Sequence, residues 1–128
     1  MPNEDSPKYE LLGGHPIRFF GNKLFRIISL KDFDTHDGRK VKKGDLGGYV
    51  ASMQNLSQKG TCWIFGNAKA FGNSRVRDDA LLCNNALAFD HAEVTGRSIV
   101  HDSAAVCKHV KLIDEEVKAG SIRNDPDT

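Results

Sequence analysis

Small, aliphatic and turn-forming residues recur in the same order every six positions from Cys62 to Glu115, nine times without an insertion. The first position of each hexad is small in all but the last, and the third is aliphatic or alanine. Both side chains therefore point to one side of a short strand. The fifth and sixth positions are rich in Gly, Asn and Asp, which favour turns. A unit of this length cannot bury its own apolar side, so the pattern predicts an all-β fold of strands stacked into a parallel solenoid.

The small-x-aliphatic hexad resembles the hexapeptide repeat of left-handed parallel β-helix proteins, a family best known for acyltransferases. Three hexads form one triangular coil in that family, so the resemblance implies a left-handed, three-sided β-helix of about three coils. The preceding segments Val41–Val50 and Asn55–Gly60 also look like the lead-in of small bacterial and phage hexapeptide proteins labelled as transferases. One feature departs from the acyltransferase pattern, which favours a small or acidic residue after the aliphatic one. Here that fourth position holds Phe, Arg, Cys, Thr, His or Ile.

Residues 9–54 are predicted to form a β-cap ahead of the solenoid. Ile17–Phe20 and Leu24–Leu30 are rich in β-branched and aromatic residues and flank Gly21-Asn22, which indicates a hairpin. Asp37-Gly38 signals a second turn. A cap is needed because the first coil of a parallel solenoid otherwise exposes unpaired strand edges and an open apolar end.

The other boundaries follow from composition and from where the repeat ends. Residues 1–8 are polar and contain two prolines, so we expect a disordered N-terminus. Residues 55–119 are assigned to the solenoid, whose last strand follows a one-residue bulge that turns Val117 and Ala119 inward. Residues 120–128 are expected to form a polar tail.

Composition indicates the number of domains and the cellular compartment, but it says little about function. A length of 128 residues suits one domain, and a net charge of +1 gives no whole-molecule attraction to nucleic acid or to anionic membranes. The N-terminus has no signal-peptide pattern and no apolar run is long enough to span a membrane, which favours a cytoplasmic protein. The resemblance to bacterial and phage proteins implies that this is the cytoplasm of a bacterial host cell. The odd number of cysteines, three, argues against a disulfide framework.

If three hexads form one coil, as the resemblance implies, residues 18 apart stack about 4.8 Å from one another. When the outward residues are sorted in this way, two of the three outer faces are apolar. Apolar faces of this extent mark contact surfaces. The first, called the Trp63 face, is expected to pack against the cap segment Ile17–Leu30 or to form a second interface. The second, called the Phe71 face, is expected to be the interface of a homo-oligomer in a two-fold or three-fold contact, with a dimer favoured. The Trp63 face comprises Trp63, Phe65, Leu81 and Ile99, and the Phe71 face comprises Phe71, Leu87, Phe89, Ala105 and Cys107.

Three groups of residues are weak candidates for chemistry. His91 and His109 should stack at one corner and could share a metal ion or a proton, but structural zinc needs four ligands and no further Cys or His converges there. His101 should lie beside Cys83, a base and a nucleophile by residue type, without a third orienting group. The one basic cluster could contact phosphates, but it lacks interleaved aromatic residues and reads better as a solvated hairpin. That cluster comprises Arg39, Lys40, Lys42 and Lys43.

The prediction of function therefore rests mainly on the two apolar outer faces and on the resemblance to hexapeptide-repeat proteins. Hexapeptide acyltransferases use a histidine at a subunit junction and often an inserted loop, and neither feature can be matched here. We expect no catalytic residue, metal or cofactor, and a non-enzymatic protein-binding or oligomerising module of bacterial or phage type. Small phage proteins often inhibit host machinery, so a host defence protein is a candidate target. The alternatives are an acyltransferase-like enzyme using acyl-CoA at a subunit interface and, with less support, a nucleotide or nucleic-acid binder.

Overall fold

The computed structural model describes residues 7–118 and the backbone of residues 122–123. Its ordered elements are strands, apart from one short 3-10 helix at Met53–Asn55. The strands are β1 (Tyr9–Phe19), β2 (Asn22–Ser29), β3 (Phe33–Asp34), β4 (Lys40–Val41), β5 (Leu46–Val50), β6 (Trp63–Ile64), β7 (Lys69–Ala70), β8 (Arg75–Val76), β9 (Leu81–Leu82), β10 (Leu87–Ala88), β11 (Glu93–Thr95), β12 (Ile99–Val100), β13 (Ala105–Val106), β14 (Lys111–Ile113), β15 (Glu116–Val117) and β16 (Ile122–Arg123).

The repeat folds into three parallel columns of stacked strands. One column is β6-β9-β12-β15, the second contains β5-β7-β10-β13-β16, and the third is β8-β11-β14. Within the nine hexads, strand partners in neighbouring layers are 18 residues apart, as in Trp63 with Leu81 and Leu81 with Ile99. The predicted all-β fold and parallel solenoid are confirmed, with about four turns instead of about three.

The additional turn begins inside the segment that was assigned to the cap. Tyr49 and Val50 of β5 already pair in parallel with Lys69 and Ala70 of β7. Gly48 makes this close approach possible, because a Cβ atom there would lie 2.4 Å from the Ala68 carbonyl oxygen. The solenoid therefore starts before residue 55.

Left-handed backbone conformation recurs at every sixth residue from Gly60 to Asp114, with φ between 56° and 72°. From Gly66 onward these are the fifth positions of the nine hexads, where the sequence predicts turns, and Gly60 precedes the first hexad at the same spacing. Gly has no steric penalty at positive φ, and Asn and Asp tolerate it best among the other residues. The Asx residues also brace the next layer: Asp78 Oδ2 accepts the Gly96 N–H at 2.9 Å, and Asn84 Oδ1 accepts the Asp102 N–H at 3.1 Å.

The first and third positions of the hexads point inward and form the repeating part of the hydrophobic core. Each of these residues from Cys62 to Leu112 is at most 6% exposed. The buried polar members have hydrogen-bond partners: the single hydroxyl hydrogen of Ser74 is shared between the carbonyl oxygens of Phe71 and Ala88, which lie 2.9 and 3.0 Å from Oγ. The alternation of the sequence thus translates directly into burial.

The cap consists of two hairpins. The predicted β1–β2 hairpin forms, and β2 pairs with β5, so it extends the second column in the antiparallel sense. Strands β3 and β4 pair around the second predicted turn, where Gly38 has φ 91°. Both turn predictions are confirmed.

The expected disordered N-terminus does not extend as far as Lys8. This side chain is 1% exposed, and its Nζ donates to the carbonyl oxygen of Cys62 at 2.7 Å and to that of Gly60 at 3.3 Å. The ammonium group therefore satisfies carbonyls at the open end of the first full turn. Burial lowers the pKa of Lys8. Residues 1–6 lie outside the described part of the chain.

The C-terminal end differs from the prediction in two details. Val117 points inward, as predicted. It pairs with Val100, only 17 residues away, so the last turn is one residue shorter than the 18-residue turns before it, whereas a bulge would have made it one residue longer. The expected polar tail contributes a strand, because β16 pairs in parallel with β13. Ala119 and the rest of the tail lie outside the described residues.

Val94 provides a test of the hexad assignment. It is 0% exposed and sits in the middle strand of the third column. We expect Val94→Asp to unfold the protein, because an unpaired buried carboxylate costs several kcal/mol against a total stability of about 5–15 kcal/mol. Lys111→Asp, on the exposed side of β14 in the same column, is the matched control and should melt close to the parent. Circular dichroism melts of both variants decide the point: a parent-like Val94→Asp would refute the assignment.

Candidate functional site

The Phe71 face is less exposed than the sequence indicated. Phe71 and Cys107 are each 6% exposed and Ala105 is 9% exposed, whereas Leu87 and Phe89 are half-buried. Phe71 is covered by the tip of the β1–β2 hairpin: the Phe19 ring packs edge-on against it with ring centroids 5.7 Å apart. The hypothesis that Ile17–Leu30 lies across the Trp63 face is therefore wrong.

The Trp63 face is covered by other parts of the cap. Phe33 and Tyr9 pack edge-on against the Trp63 ring, at 5.5 and 6.2 Å between centroids. The Arg39 guanidinium lies 3.9 Å from the centre of the Phe65 ring. Trp63 and Leu81 are consequently buried and Phe65 and Ile99 half-buried, so this face packs against the cap.

A continuous row of four phenyl rings runs from the hairpin tip onto the solenoid. Phe20 contacts Phe19 at 4.6 Å, Phe19 contacts Phe71 at 5.7 Å, and Phe71 stacks on Phe89 at 5.3 Å with the ring planes 6° apart. We call these residues the aromatic row. Phe20, at the outer end, is 82% exposed. The row therefore connects a solvent-exposed ring with half-buried Phe89.

An open cavity of about 550 Å³ adjoins the inner end of the aromatic row. The hairpin tip forms one wall, and the corner between the second and third columns forms the other. His91 and His109 stack there as predicted, with centroids 4.8 Å apart and the ring planes 3° apart. The lining comprises Asn22, Phe71, Gly72, Asn73, Phe89, Asp90, His91, Lys108 and His109.

The stacked histidines are poorly arranged for a metal ion. Two parallel rings direct their in-plane nitrogen lone pairs side by side, whereas ligands of one metal must converge on a point. Across the part of the chain that the structure describes, three or more His, Cys, Asp or Glu residues do not gather in a metal-binding arrangement. Hydrogen bonding is the chemistry that the pair offers to a ligand in the cavity.

Backbone strain is concentrated at this site. Within residues 7–118, the left-handed residues other than Phe20 and Lys108 are Gly, Asp or Asn. Phe20 has φ 49° at the hairpin tip, and Lys108 has φ 58° at the cavity corner. A bulky residue in this conformation costs about 1–2 kcal/mol. Strain of this kind clusters at functional positions, so these two residues mark the site.

Sequence reasoning overlooked both residues, although a signal was present for each. Lys108 occupies the one fifth position in the nine hexads that is neither Gly, Asn nor Asp. Phe20 immediately precedes the glycine of a predicted tight turn, where Asn or Gly is the ordinary choice. At both positions the sequence signal was a bulky residue where a turn normally has Gly, Asn or Asp.

A second cavity, of about 250 Å³, contains the predicted Cys83 and His101. Arg39 Nη2 donates to Cys83 Sγ at 2.9 Å, and His101 Nε2 lies 2.8 Å from Glu116 Oε2. Burial raises the pKa of the Cys83 thiol, and the neighbouring Arg39 only partly opposes this. The thiol is thus protonated at neutral pH, which is the inactive form of a nucleophile. Glu116 is a third group that the sequence did not reveal, because the turn of the solenoid brings it to His101.

The predicted basic cluster does not form one phosphate-binding surface. Arg39 lies against Phe65 and pairs with Asp37 at 2.7 Å, while Lys40 pairs with Asp34 at 3.4 Å. Lys42 and Lys43 are exposed in the turn that follows β4. Half of the cluster is therefore neutralised by local carboxylates.

Comparison with known proteins yields no assignment: no protein-family model and no curated protein sequence matches this chain. Within the described residues, no helix has both the length and the apolar character needed to cross a membrane.

Replacing Lys108 tests whether strain is stored at the cavity. We expect Lys108→Asn to raise the free energy of unfolding by about 1 kcal/mol, because Asn tolerates the left-handed conformation better. Lys111→Asn, three residues further along in an ordinary strand, should give no gain. Chemical denaturation of both variants measures the difference. An equal effect at the two positions would show that no strain is stored at Lys108.

Proposed function

We propose that this chain is a non-enzymatic protein-binding module of bacterial or phage type, and that the aromatic row is its contact surface. The observation that carries the proposal is Phe20. Its ring is 82% exposed, and its backbone adopts a conformation that disfavours a bulky residue. A tight hairpin turn of this kind works best with Asn or Gly, so the ring does not serve the turn. An aromatic side chain that is both strained and exposed is suited to contact a partner.

The hairpin is well anchored for such a role. Lys69 Nζ lies 4.8 Å from the centre of the Phe19 ring and 5.6 Å from that of Tyr49. Arg26 donates to the Tyr49 hydroxyl at 2.9 Å and to the Gly47 carbonyl at 2.9 Å. Cation–π contacts and charged hydrogen bonds therefore tie the hairpin to the solenoid. A pre-organised contact surface loses less conformational entropy on binding.

The proposed partners follow from the size and nature of this surface. One proposed partner is a second copy of the chain, in a homo-oligomer that is most simply a dimer. A host protein in the cytoplasm of a bacterial cell is the other, with the chain acting as a phage-encoded inhibitor, in keeping with the resemblance of its hexads. Burial of the exposed Phe20 ring and of the half-buried Leu87 and Phe89 would contribute at roughly 25 cal/mol per Å² before the costs of association.

Removing the exposed ring tests the contact surface. We expect tagged parent protein to retain a specific partner from bacterial lysate, and Phe20→Asn to lose it, because the ring is absent while the turn is kept. Met53→Gln is the matched control, since Met53 is 49% exposed on a different part of the surface. Mass spectrometry of the retained proteins, with circular dichroism of each variant, gives the readout. Retention of the same proteins by Phe20→Asn and by the parent would refute the role of the ring.

Cofactor binding separates this proposal from the acyltransferase alternative. The buried Cys83 thiol is protonated at neutral pH, and the nitrogens of His101 are engaged with Glu116 and, at 3.5 Å, with Asp102. The carboxylates orient the imidazole, but the hydrogen-bond partner of Cys83 Sγ is Arg39 Nη2, at 2.9 Å, and burial raises the pKa of the thiol, so Cys83 is not an activated nucleophile. We expect titration calorimetry with acetyl-CoA to show no binding at micromolar concentration. A micromolar affinity would favour the enzyme alternative.

A further inference from the structure

The β1–β2 hairpin carries positive charge that no acidic residue of the hairpin balances. Residues 11–31 include four Lys or Arg residues and neither Asp nor Glu. The whole chain has a net charge of +1, so subtracting the +4 of this segment leaves −3 on the other residues. The nearly neutral total therefore conceals a basic hairpin on a chain that is otherwise weakly acidic. The four cations are Arg18, Lys23, Arg26 and Lys31.

Two of these cations oppose each other next to the hairpin tip. Arg18 of β1 and Lys23 of β2 are direct partners in the antiparallel register, and both are exposed. Directly opposed residues point to the same side of a hairpin with their Cβ atoms about 5 Å apart, so like charges there are destabilising. Among residues 7–118, no carboxylate forms an ion pair with either side chain. Nothing in the fold of the hairpin requires this juxtaposition.

The opposed cations flank the exposed ring of the contact surface. Phe20 lies in the turn between them, and its ring is largely exposed. Behind it, Lys69 Nζ lies 4.8 Å from the centre of the Phe19 ring and donates to the carbonyl oxygen of Asn67 at 2.8 Å, so this third cation is not neutralised by its neighbour. A like-charge pair and a strained aromatic residue, both unfavourable for the isolated hairpin, therefore coincide at one place.

We propose that the hairpin tip binds an acidic protein segment that carries an apolar side chain. Carboxylates of the partner pair with Arg18 and Lys23, and the apolar side chain packs against the Phe20 ring. Carboxylates placed between the two cations also relieve their mutual repulsion, and this gain arises only on binding. The inference rests on the proposed function, since it names the kind of partner that the contact surface takes.

The charge distribution disfavours two other occupants of the tip. A second copy of the chain placed tip to tip would oppose the same cations across a two-fold axis. A nucleic acid carries a charge at every nucleotide, and it would extend beyond the hairpin onto a molecule whose other residues carry −3. A short acidic segment of a protein matches the tip without meeting the rest of the surface.

Reversing one cation separates the charge of the tip from the stability of the fold. We expect Arg18→Glu to raise the melting temperature by about 2 °C, because it converts a like-charge cross-strand pair into an opposite-charge pair. The same variant should bind an acidic peptide about tenfold more weakly, because the charge that faces the partner is reversed. Lys23→Glu makes the mirror-image exchange and should behave alike. Lys42→Glu, an equal charge change in the turn after β4, should keep the parent affinity.

The probe is a labelled peptide of about twelve residues, glutamate throughout apart from two central leucines. Fluorescence anisotropy measures its dissociation constant, and circular dichroism melts show that each variant is folded. The same peptide with glutamine in place of glutamate is the neutral reference, which the parent should bind about tenfold more weakly or less tightly still. Added salt should weaken binding of the glutamate peptide but not of the glutamine peptide.

The other outcomes overturn the inference. Equal affinity of the parent for the two peptides shows that charge does not select the partner, and equal weakening by Arg18→Glu and Lys42→Glu shows that the tip is not the site. Tighter binding of single-stranded DNA of about twenty nucleotides than of the glutamate peptide assigns the tip to nucleic acid instead. Capture from lysate separates this failure from that of the proposed function. If retention of a partner depends on Phe20 but not on Arg18, the proposed function stands and only this inference fails; if it depends on neither, both fail.

Discussion

A left-handed corner every six residues is the constraint on which this structure depends. Ten residues from Gly60 to Asp114 adopt it at regular spacing, and each one lets a short strand turn through the next corner of the triangle. Only Gly, Asn and Asp enter this conformation at low cost. Asp and Asn add a second benefit, since Asp78 and Asn84 accept a backbone N–H from the layer above. The corners therefore determine both the shape of a turn and its attachment to the next.

A solenoid built in this way leaves apolar surface that its own strands cannot cover. Both the Trp63 face and the Phe71 face project side chains away from the core, and exposed faces of this kind favour aggregation. The cap covers parts of both: Phe33 and Tyr9 pack on Trp63, and Phe19 packs on Phe71. Lys8 closes the open end of the first full turn. One short segment thus protects an end and two sides of the solenoid.

The proposed contact surface lies where cap and solenoid meet. The hairpin supplies Phe19 and Phe20 to the aromatic row, and the solenoid supplies Phe71 and Phe89. Asn22, the stacked histidines and Lys108 line the cavity that adjoins the row. The strained residues come from these two separate parts: Phe20 ends the aromatic row, and Lys108 lines the cavity that adjoins its other end. Local turn chemistry does not require either residue, which favours a role in binding for each.

The sequence by itself determined the core, the strand faces and the corners, because each is set by contacts within six residues or between identical positions of stacked turns. From the hexad alone, Ser74 and Val94 could be placed inward and Asp102 could be placed at a corner. Only the tertiary structure decided where the cap lies, because Phe19 meets Phe71, and Arg39 meets Cys83, across more than 40 residues without any repeating pattern. The cavity is likewise invisible in the sequence. It arises when a hairpin bends over a regular surface, and that bend depends on packing between side chains that are distant in the chain.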